Sequence, residues 1–179
     1  MPCSVAAMKS NISLIGMPGA GKSTVGVILA KLLSFGFMDT DIVIQTNQGK
    51  SLQEIIDEGD YLGLRRIEAS AIRKIDVKEH VIATGGSAVH SARAMQHLKK
   101  ISTVVFLKVD FKELQKRISN FEIRGIAKPK HQSFKALFDE RQILYKKYAE
   151  VVIDGNDLDQ EQIAALIAST VYGESRVDP

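Results

Sequence analysis

Short apolar runs alternate along the chain with longer segments in which apolar residues recur every three or four positions. The first pattern is typical of buried strands and the second of helices with one apolar face. We predict five strands, at 11–16, 36–38, 81–84, 102–108 and 150–153. Helices are predicted over 23–34, from Ser51, where Glu54 completes a capping box, and over 62–75, 91–98, 110–118, 133–149 and 159–172.

This alternation predicts an α/β fold of three layers, with a parallel, five-stranded sheet between helices. Residues 1–10 are expected to form a flexible N-terminal segment and residues 11–175 a single domain. Residues 120–132 show no clean period and contain a glycine and a proline, so we expect an irregular, mobile segment, a lid at about 118–132. In a sheet of this kind, the functional site lies beyond the carboxyl ends of the strands.

Composition narrows the classes of protein. The 179 residues are 45% hydrophobic and 25% charged, as in a globular domain, and the net charge is only +3, with no basic cluster, so we expect neither nucleic acid nor membrane as a partner. No apolar run is long enough to span a bilayer, and the N-terminus lacks the charged and apolar regions of a secretory signal, so we expect neither insertion nor export. Cys3 is the only cysteine, which excludes a disulfide framework or a zinc site and fits a reducing, cytoplasmic compartment.

A glycine-rich motif joins the first predicted strand to the first predicted helix. The stretch 16–23, GMPGAGKS, matches G-x-x-x-x-G-K-[ST] in full. Its glycines let backbone N–H groups converge on phosphate oxygens, a lysine neutralises the transferring phosphoryl group, and a hydroxyl can bind Mg²⁺. The alternative is a glycine-rich turn with a helix cap. The motif predicts binding of a nucleoside triphosphate through Gly16, Gly19, Ala20, Gly21, Lys22, Ser23 and Thr24.

Asp39 and Asp41 follow the second predicted strand. If the strand geometry persists, the two carboxylates point the same way, and one can serve a metal and the other the hydroxyl that receives the phosphate. The alternative is a turn or a helix N-cap. Beside the phosphate loop, the catalytic interpretation is favoured.

Each of the other glycine and arginine positions, taken alone, fits both a ligand-binding and a purely structural interpretation. Gly85 and Gly86 follow the third strand, where bare backbone can approach a ligand or simply turn the chain. Single arginines are more often solvated than ligand-bound. The arginines considered as ligands are Arg65, Arg66, Arg117, Arg124 and Arg141.

Taken together, these motifs resemble the shikimate kinase family, within the P-loop kinases related to nucleoside monophosphate kinases. The resemblance covers residues 10–170 and includes the order of the phosphate loop, Asp39-Thr-Asp41, Leu64-Arg65-x-x-Glu68, the paired glycines, Arg117 with Arg124, and Arg141-x-x-Leu144-Tyr145. It implies a P-loop kinase fold and ATP-dependent phosphorylation of the 3-hydroxyl of shikimate, an anionic polyol on the route to aromatic amino acids. A monomer is expected.

The resemblance also assigns roles. Lys22 and the loop amides bind the ATP phosphates, Ser23 and Asp39 hold Mg²⁺, and Asp41 grips the acceptor hydroxyl within an acceptor region at about 40–75. Arg65 and Arg141 clamp the shikimate carboxylate, and Gly85 and Gly86 also bind shikimate. Arg117 flanks adenine, and Arg124 reaches the phosphates when the lid closes over the nucleotide.

Departures from the family pattern all fall on the acceptor and lid side. Ser87 replaces a third glycine, Leu64 a phenylalanine, and the lid carries Arg124-Gly-Ile-Ala127 where the family has Arg-Pro-Leu-Leu. One extra residue before Arg65 raises the alternative that Arg66 takes its role. A related kinase with another hydroxylated, acidic acceptor therefore stays open, as do, more remotely, a nucleotide-dependent switch and a non-catalytic nucleotide-binding module.

Overall fold

The computed structural model describes residues 9–117 and 125–173. Within them, five parallel strands form one sheet in the order β2-β3-β1-β4-β5. Each predicted strand is confirmed, with ends within one residue of the prediction. The strands are β1 (Asn11–Ile15), β2 (Gly36–Asp39), β3 (His80–Ala83), β4 (Ser102–Lys108) and β5 (Val151–Asp154).

Eight α-helices flank this sheet in the described residues. They are α1 (Lys22–Leu33), α2 (Thr40–Gln48), α3 (Leu52–Glu58), α4 (Tyr61–Arg73), α5 (Ala92–Ile101), α6 (Phe111–Arg117), α7 (Phe134–Tyr148) and α8 (Gln160–Tyr172). A short 3₁₀ turn, Ala88–His90, precedes α5. Seven of the eight helices are as predicted. Nowhere in the described ranges is a helix long and apolar enough to cross a bilayer.

The helix that the sequence did not predict, α2, corrects the interpretation of the two aspartates. The strand ends at Asp39, whose Oδ1 accepts a hydrogen bond of 2.9 Å from the Asp41 N–H and so caps the helix that begins at Thr40. Strand geometry does not persist through this stretch. The carboxylates are close neighbours because one caps a helix and the other lies in its first turn.

The core lies at the centre of the sheet. Strand β1 is buried along its whole length between β3 and β4, and its apolar side chains pack with those of β4. The polar exception at its start, Asn11, donates to the carbonyls of Val77 and Ile101 and accepts from the His80 N–H, so its burial leaves no polar group unpaired. Helix α1 packs against α8, while α5 and α7 contact β4.

A smaller apolar cluster supports the acceptor region. It forms where α2, α3 and α4 meet, around Ile44 and Leu64, and it includes Ala127 from the irregular segment after α6. The predicted capping box starts α3, since Ser51 accepts from the Glu54 N–H and Glu54 accepts in return. Residues 125–132 form turns and coil, while 118–124 of the predicted lid lie outside the described residues.

Candidate active site

The phosphate loop is a backbone structure held open by glycine. Gly21 caps α1 with φ +93°, a left-handed conformation that side chains disfavour. Gly16 lies at the base of the loop, where a Cβ would stand 2.7 Å from the Leu107 carbonyl oxygen on β4. The Ala20 N–H bonds to the Met17 carbonyl at 3.1 Å, inside the loop itself. The local sequence therefore fixes the shape of the loop.

Lys22 lies in the first turn of α1 and is only 8% exposed. Its Nζ donates to the carbonyls of Gly16 and Met17, both at 2.9 Å, which holds the ammonium against the loop. Burial lowers the pKa of Lys22 to about 8, and the carboxylates of Asp41 and Asp39 oppose that shift. The side chain remains mainly charged at pH 7, as a phosphate-binding lysine must be.

Ser23 and Asp39 bring two hard oxygen atoms together beside the loop. The Ser23 hydroxyl donates to Asp39 Oδ2 at 2.6 Å, although the two residues come from α1 and from the end of β2. Asp41 lies next to them, and burial, followed by the charge of Asp39, raises the pKa of its carboxyl. A hydroxyl and a carboxylate at this spacing suit Mg²⁺, which binds few protein ligands and completes its shell with phosphate oxygens and water.

The glycine pair after β3 is tied to both neighbouring regions. Gly85 donates its N–H to Thr40 Oγ1 at 3.1 Å, which links this turn to the start of α2. The Gly86 carbonyl accepts from the Tyr145 hydroxyl at 2.7 Å, and the Tyr145 ring stacks on Phe106 of β4 with centroids 5.0 Å apart. A side chain on Gly86 would collide with Pro18 and the Arg141 guanidinium. Glycine is required here by close approach.

Two arginines converge on one carbonyl oxygen. Arg141 of α7 is 1% exposed and donates through Nη2 to the Ala127 oxygen at 2.9 Å, and Arg65 of α4 donates to the same oxygen at 3.1 Å. Arg66 points away, with 74% of its side chain exposed and Asp60 3.8 Å distant. Despite the extra residue before it, Arg65 and not Arg66 is turned toward the site.

These groups surround one cavity of about 580 Å³ at the carboxyl end of the sheet. The phosphate loop forms one wall, and Asp41, Gly85 and Gly86 form another. Arg65 and Asp39 do not line the cavity themselves. Each is hydrogen-bonded to a residue that does: Arg65 to the Ala127 carbonyl and Asp39 to the Ser23 hydroxyl. The predicted site residues that line the cavity are Gly19, Gly21, Lys22, Ser23, Thr24, Asp41, Gly85, Gly86, Arg117 and Arg141.

Of the two arginines assigned to the nucleotide near the predicted lid, Arg117 lies within the described residues and Arg124 does not. Arg117 closes α6, where its Nε donates to Glu113 Oε1 at 3.0 Å, and it lines the cavity. Arg124 lies outside the described residues, so its role stays a prediction.

Two groups at the site carry no role in the sequence prediction. Glu68 of α4 is 3% exposed, and burial raises the pKa of its carboxyl to about 7. His90 is half-buried near Arg65 and Arg141, and this partial burial together with their charges lowers its pKa to about 4, so the ring is neutral at pH 7. The helical spacing of Glu68 from Arg65 was a signal for the first residue. A lone histidine after a turn gives none for the second.

The fold and the loop together define the class of protein. A parallel sheet of this order, with a G-x-x-x-x-G-K-S loop between β1 and α1 and carboxylates after β2, is that of a P-loop kinase. Residues 18–172 match the model of the family described as shikimate kinase. The chain belongs to the shikimate kinase family, whose members are kinases that act on an alcohol group.

Individual relatives agree with this assignment. A shikimate kinase of Clostridium botulinum (strain Eklund 17B / Type B) is 36% identical over 158 residues, covering 86% of this chain and 93% of the relative. One of Mycobacterium avium (strain 104) is 36% identical over 160 residues, covering 87% and 90%. Among solved structures, the shikimate kinase from Acinetobacter baumannii in complex with shikimate superimposes with a TM-score of 0.85, at 29% identity, covering 95% of this chain and 97% of that one.

Proposed function

We propose that this protein transfers the γ-phosphoryl group of ATP to the 3-hydroxyl of shikimate, giving shikimate 3-phosphate and ADP. The observation that carries the proposal is the single cavity that has the phosphate loop at one end and a buried arginine at the other, with Asp41 between them. That arrangement would give a triphosphate and an anionic polyol one shared space, as in-line transfer requires.

At the nucleotide end, the loop amides and Lys22 take the phosphates. Lys22 is already held at the loop, so it needs only to exchange carbonyl partners for phosphate oxygens. Thr24 adds a hydroxyl, and Arg117 flanks the base from the cavity wall. Arg124 is proposed to add charge on the phosphates when the lid closes, which also excludes water.

A divalent cation belongs beside the loop. Ser23 and Asp39 would hold Mg²⁺, Asp39 through a water molecule, because their oxygens lie 2.6 Å apart and are the hard ligands this ion prefers. When bound, the ion neutralises charge that develops on the β- and γ-phosphate oxygens.

At the acceptor end, Asp41 accepts a hydrogen bond from the 3-hydroxyl and orients it. The hydroxyl oxygen attacks the γ-phosphorus, the bond to the β,γ-bridging oxygen breaks, and the hydroxyl proton leaves along the hydrogen bond to Asp41 or after transfer. Arg65 and Arg141 bind the shikimate carboxylate in place of the Ala127 carbonyl on which they now converge. Gly85 and Gly86 complete this subsite with bare backbone.

A coupled assay of ADP release tests the proposal. Purified protein with ATP and Mg²⁺ is given shikimate, gluconate, homoserine or no acceptor. We expect saturable release with shikimate alone and a product phosphorylated on the ring. Binding of ATP without shikimate-dependent release would reject shikimate and favour the related kinase with another acidic, hydroxylated acceptor.

We further propose a cytoplasmic monomer that needs neither nucleic acid nor a membrane. ATP is a cytoplasmic co-substrate, the single cysteine suits a reducing compartment, and one chain supplies every group assigned above. Light scattering after size-exclusion chromatography measures the oligomeric state, and a dimer would contradict this part.

A further inference from the structure

Ser87 places a hydroxyl where the family pattern has glycine, and that hydroxyl has a specific partner. It is buried and donates a hydrogen bond to Oε2 of Glu68. The contact joins the turn after β3 to α4, and both residues line the cavity. A polar side chain added to a glycine position therefore holds a carboxylate at the acceptor end of the site.

The other oxygen of Glu68 is left without a partner. Oε1 is buried and accepts no hydrogen bond from the described residues. It lies against Gly85, where a Cβ would stand 2.2 Å from Glu68 Oε1 and 2.6 Å from Asp41 Oδ1. Two carboxylate oxygens thus flank one bare backbone position, the one at which a polyol hydroxyl would approach Asp41. A buried acceptor with no donor is costly until one arrives.

We propose that Ser87 is a positioning residue for the polyol substrate: it fixes the Glu68 side chain so that Oε1 accepts a hydrogen bond from a second substrate hydroxyl, directly or through one water. The inference rests on the proposed function and adds to it a specificity element of this chain. Without the Ser87 hydroxyl, Glu68 would keep its place on α4 and lose the contact that orients its carboxyl group.

Electrostatics give the proposal a pH signature. Glu68 is faced by Asp41 on α2, Lys22 on α1, Arg141 and Tyr145 on α7, and Arg65 on its own helix. Burial raises its carboxyl pKa to about 7, and the hydrogen bond from Ser87 opposes that rise because it favours the charged form. Removing the hydroxyl should raise the pKa further. Near neutral pH, a larger share of Glu68 would then be protonated and unable to accept at Oε1.

The test compares Ser87→Ala with the wild-type chain across pH 6.5–9 at saturating ATP and Mg²⁺. The typical net contribution of one hydrogen bond predicts a KM for shikimate about 5–10 times higher in the variant at pH 7, with kcat changed by less than about twofold. The ratio of the two KM values should fall as pH rises, because Glu68 ionises in both proteins, and should level off above one, because the contact that orients Glu68 stays lost in the variant. Ratios cancel the titration of Lys22, which both proteins share.

Three controls separate positioning from packing. Ser70→Ala removes a hydroxyl from α4 away from the cavity lining and should leave KM unchanged. Ser87→Thr keeps the hydroxyl and should restore most of the lost affinity for shikimate. In a Glu68→Gln background, where position 68 cannot titrate, adding Ser87→Ala should produce no pH-dependent change in KM.

A measurement without substrate keeps the inference independent of the reaction. The carboxyl pKa of Glu68 can be followed by ¹³C NMR on protein labelled at its glutamate side chains, with Glu68→Gln identifying the signal. A higher pKa in Ser87→Ala supports the inference. An unchanged pKa, or a KM ratio that is flat with pH, would overturn it, whereas a wild-type chain without shikimate turnover would overturn the proposed function instead.

Discussion

The two ends of the cavity are built in different ways. The nucleotide end consists of consecutive residues whose backbone shape is set by glycines and by the start of α1. The acceptor end draws single side chains from α2, α4, α7 and the turn after β3. A site for ATP, which many kinases use, can be formed by a local sequence motif. A site for a particular polyol depends on the packing of several elements.

Burial also acts in opposite directions at the two ends. It lowers the pKa of the Lys22 ammonium to about 8 and raises that of the Glu68 carboxyl to about 7. Both shifts have the same cause, since a group removed from water loses stability in its charged form. We therefore expect activity to be highest between these two pKa values, with the upper limit set by ATP binding and the lower limit by acceptor binding.

Removal of Lys22 should give the largest effect. We expect Lys22→Ala to lower turnover by about 10³-fold or more, because the charge on the transferring group loses its fixed partner. Lys31→Ala, an exposed position on the same helix, is the matched control and should behave as wild type. Steady-state kinetics with circular dichroism measure both variants. A folded Lys22→Ala protein with normal turnover would refute the role of the loop.

Asp41 should separate the two ends. Asp41→Asn keeps the shape but weakens the acceptor for the 3-hydroxyl, so we expect turnover to fall about 10²-fold while ATP affinity changes little. Equilibrium binding of a nucleotide and single-turnover kinetics report the two quantities. Asp76→Asn, on the exposed stretch before β3, serves as control. Equal loss of ATP binding and turnover would indicate instead that Asp41 binds the metal ion.

The neighbouring arginines offer a smaller and sharper comparison. Arg65→Lys loses the planar fork on the side that faces the site, and we expect the KM for shikimate to rise about tenfold. Arg66→Lys changes an exposed side chain and should leave KM within about twofold of wild type. Initial-rate measurements at saturating ATP compare the pair. A larger effect at Arg66 would show that Arg66, and not Arg65, binds the shikimate carboxylate.

The pH profile should give the smallest changes, a few-fold across the working range. Lys22 must carry a proton, so kcat/KM for ATP should fall as pH rises above about 8. Glu68 must have lost its proton, so kcat/KM for shikimate should fall as pH drops below about 7. Glu68→Gln should abolish the acid limb only. A single limb common to both substrates would contradict the separate assignment.

Local sequence signals are sufficient for most of the secondary structure. All five strands and seven helices follow from periodicity and caps, including the capping box at Ser51. The missed helix, α2, begins Thr-Asp-Ile-Val-Ile, in which β-branched residues weaken helix propensity and resemble a strand. Its start is set by the Asp39 cap and by packing of Ile44 against Leu64 of α4.

The site likewise has a part that local sequence predicts and a part that depends on tertiary contacts. The phosphate loop could be predicted from sequence because eight consecutive residues carry the conformational and chemical requirements of phosphate binding. The family could be predicted from the order of motifs spread over residues 10–170. Contacts between distant elements were needed to show that Arg65 rather than Arg66 faces the site, that Ala127 lies between Arg65 and Arg141, and that Ser87 holds Glu68. The direction and the pKa of a side chain are set by neighbours distant in sequence, and local patterns do not encode them.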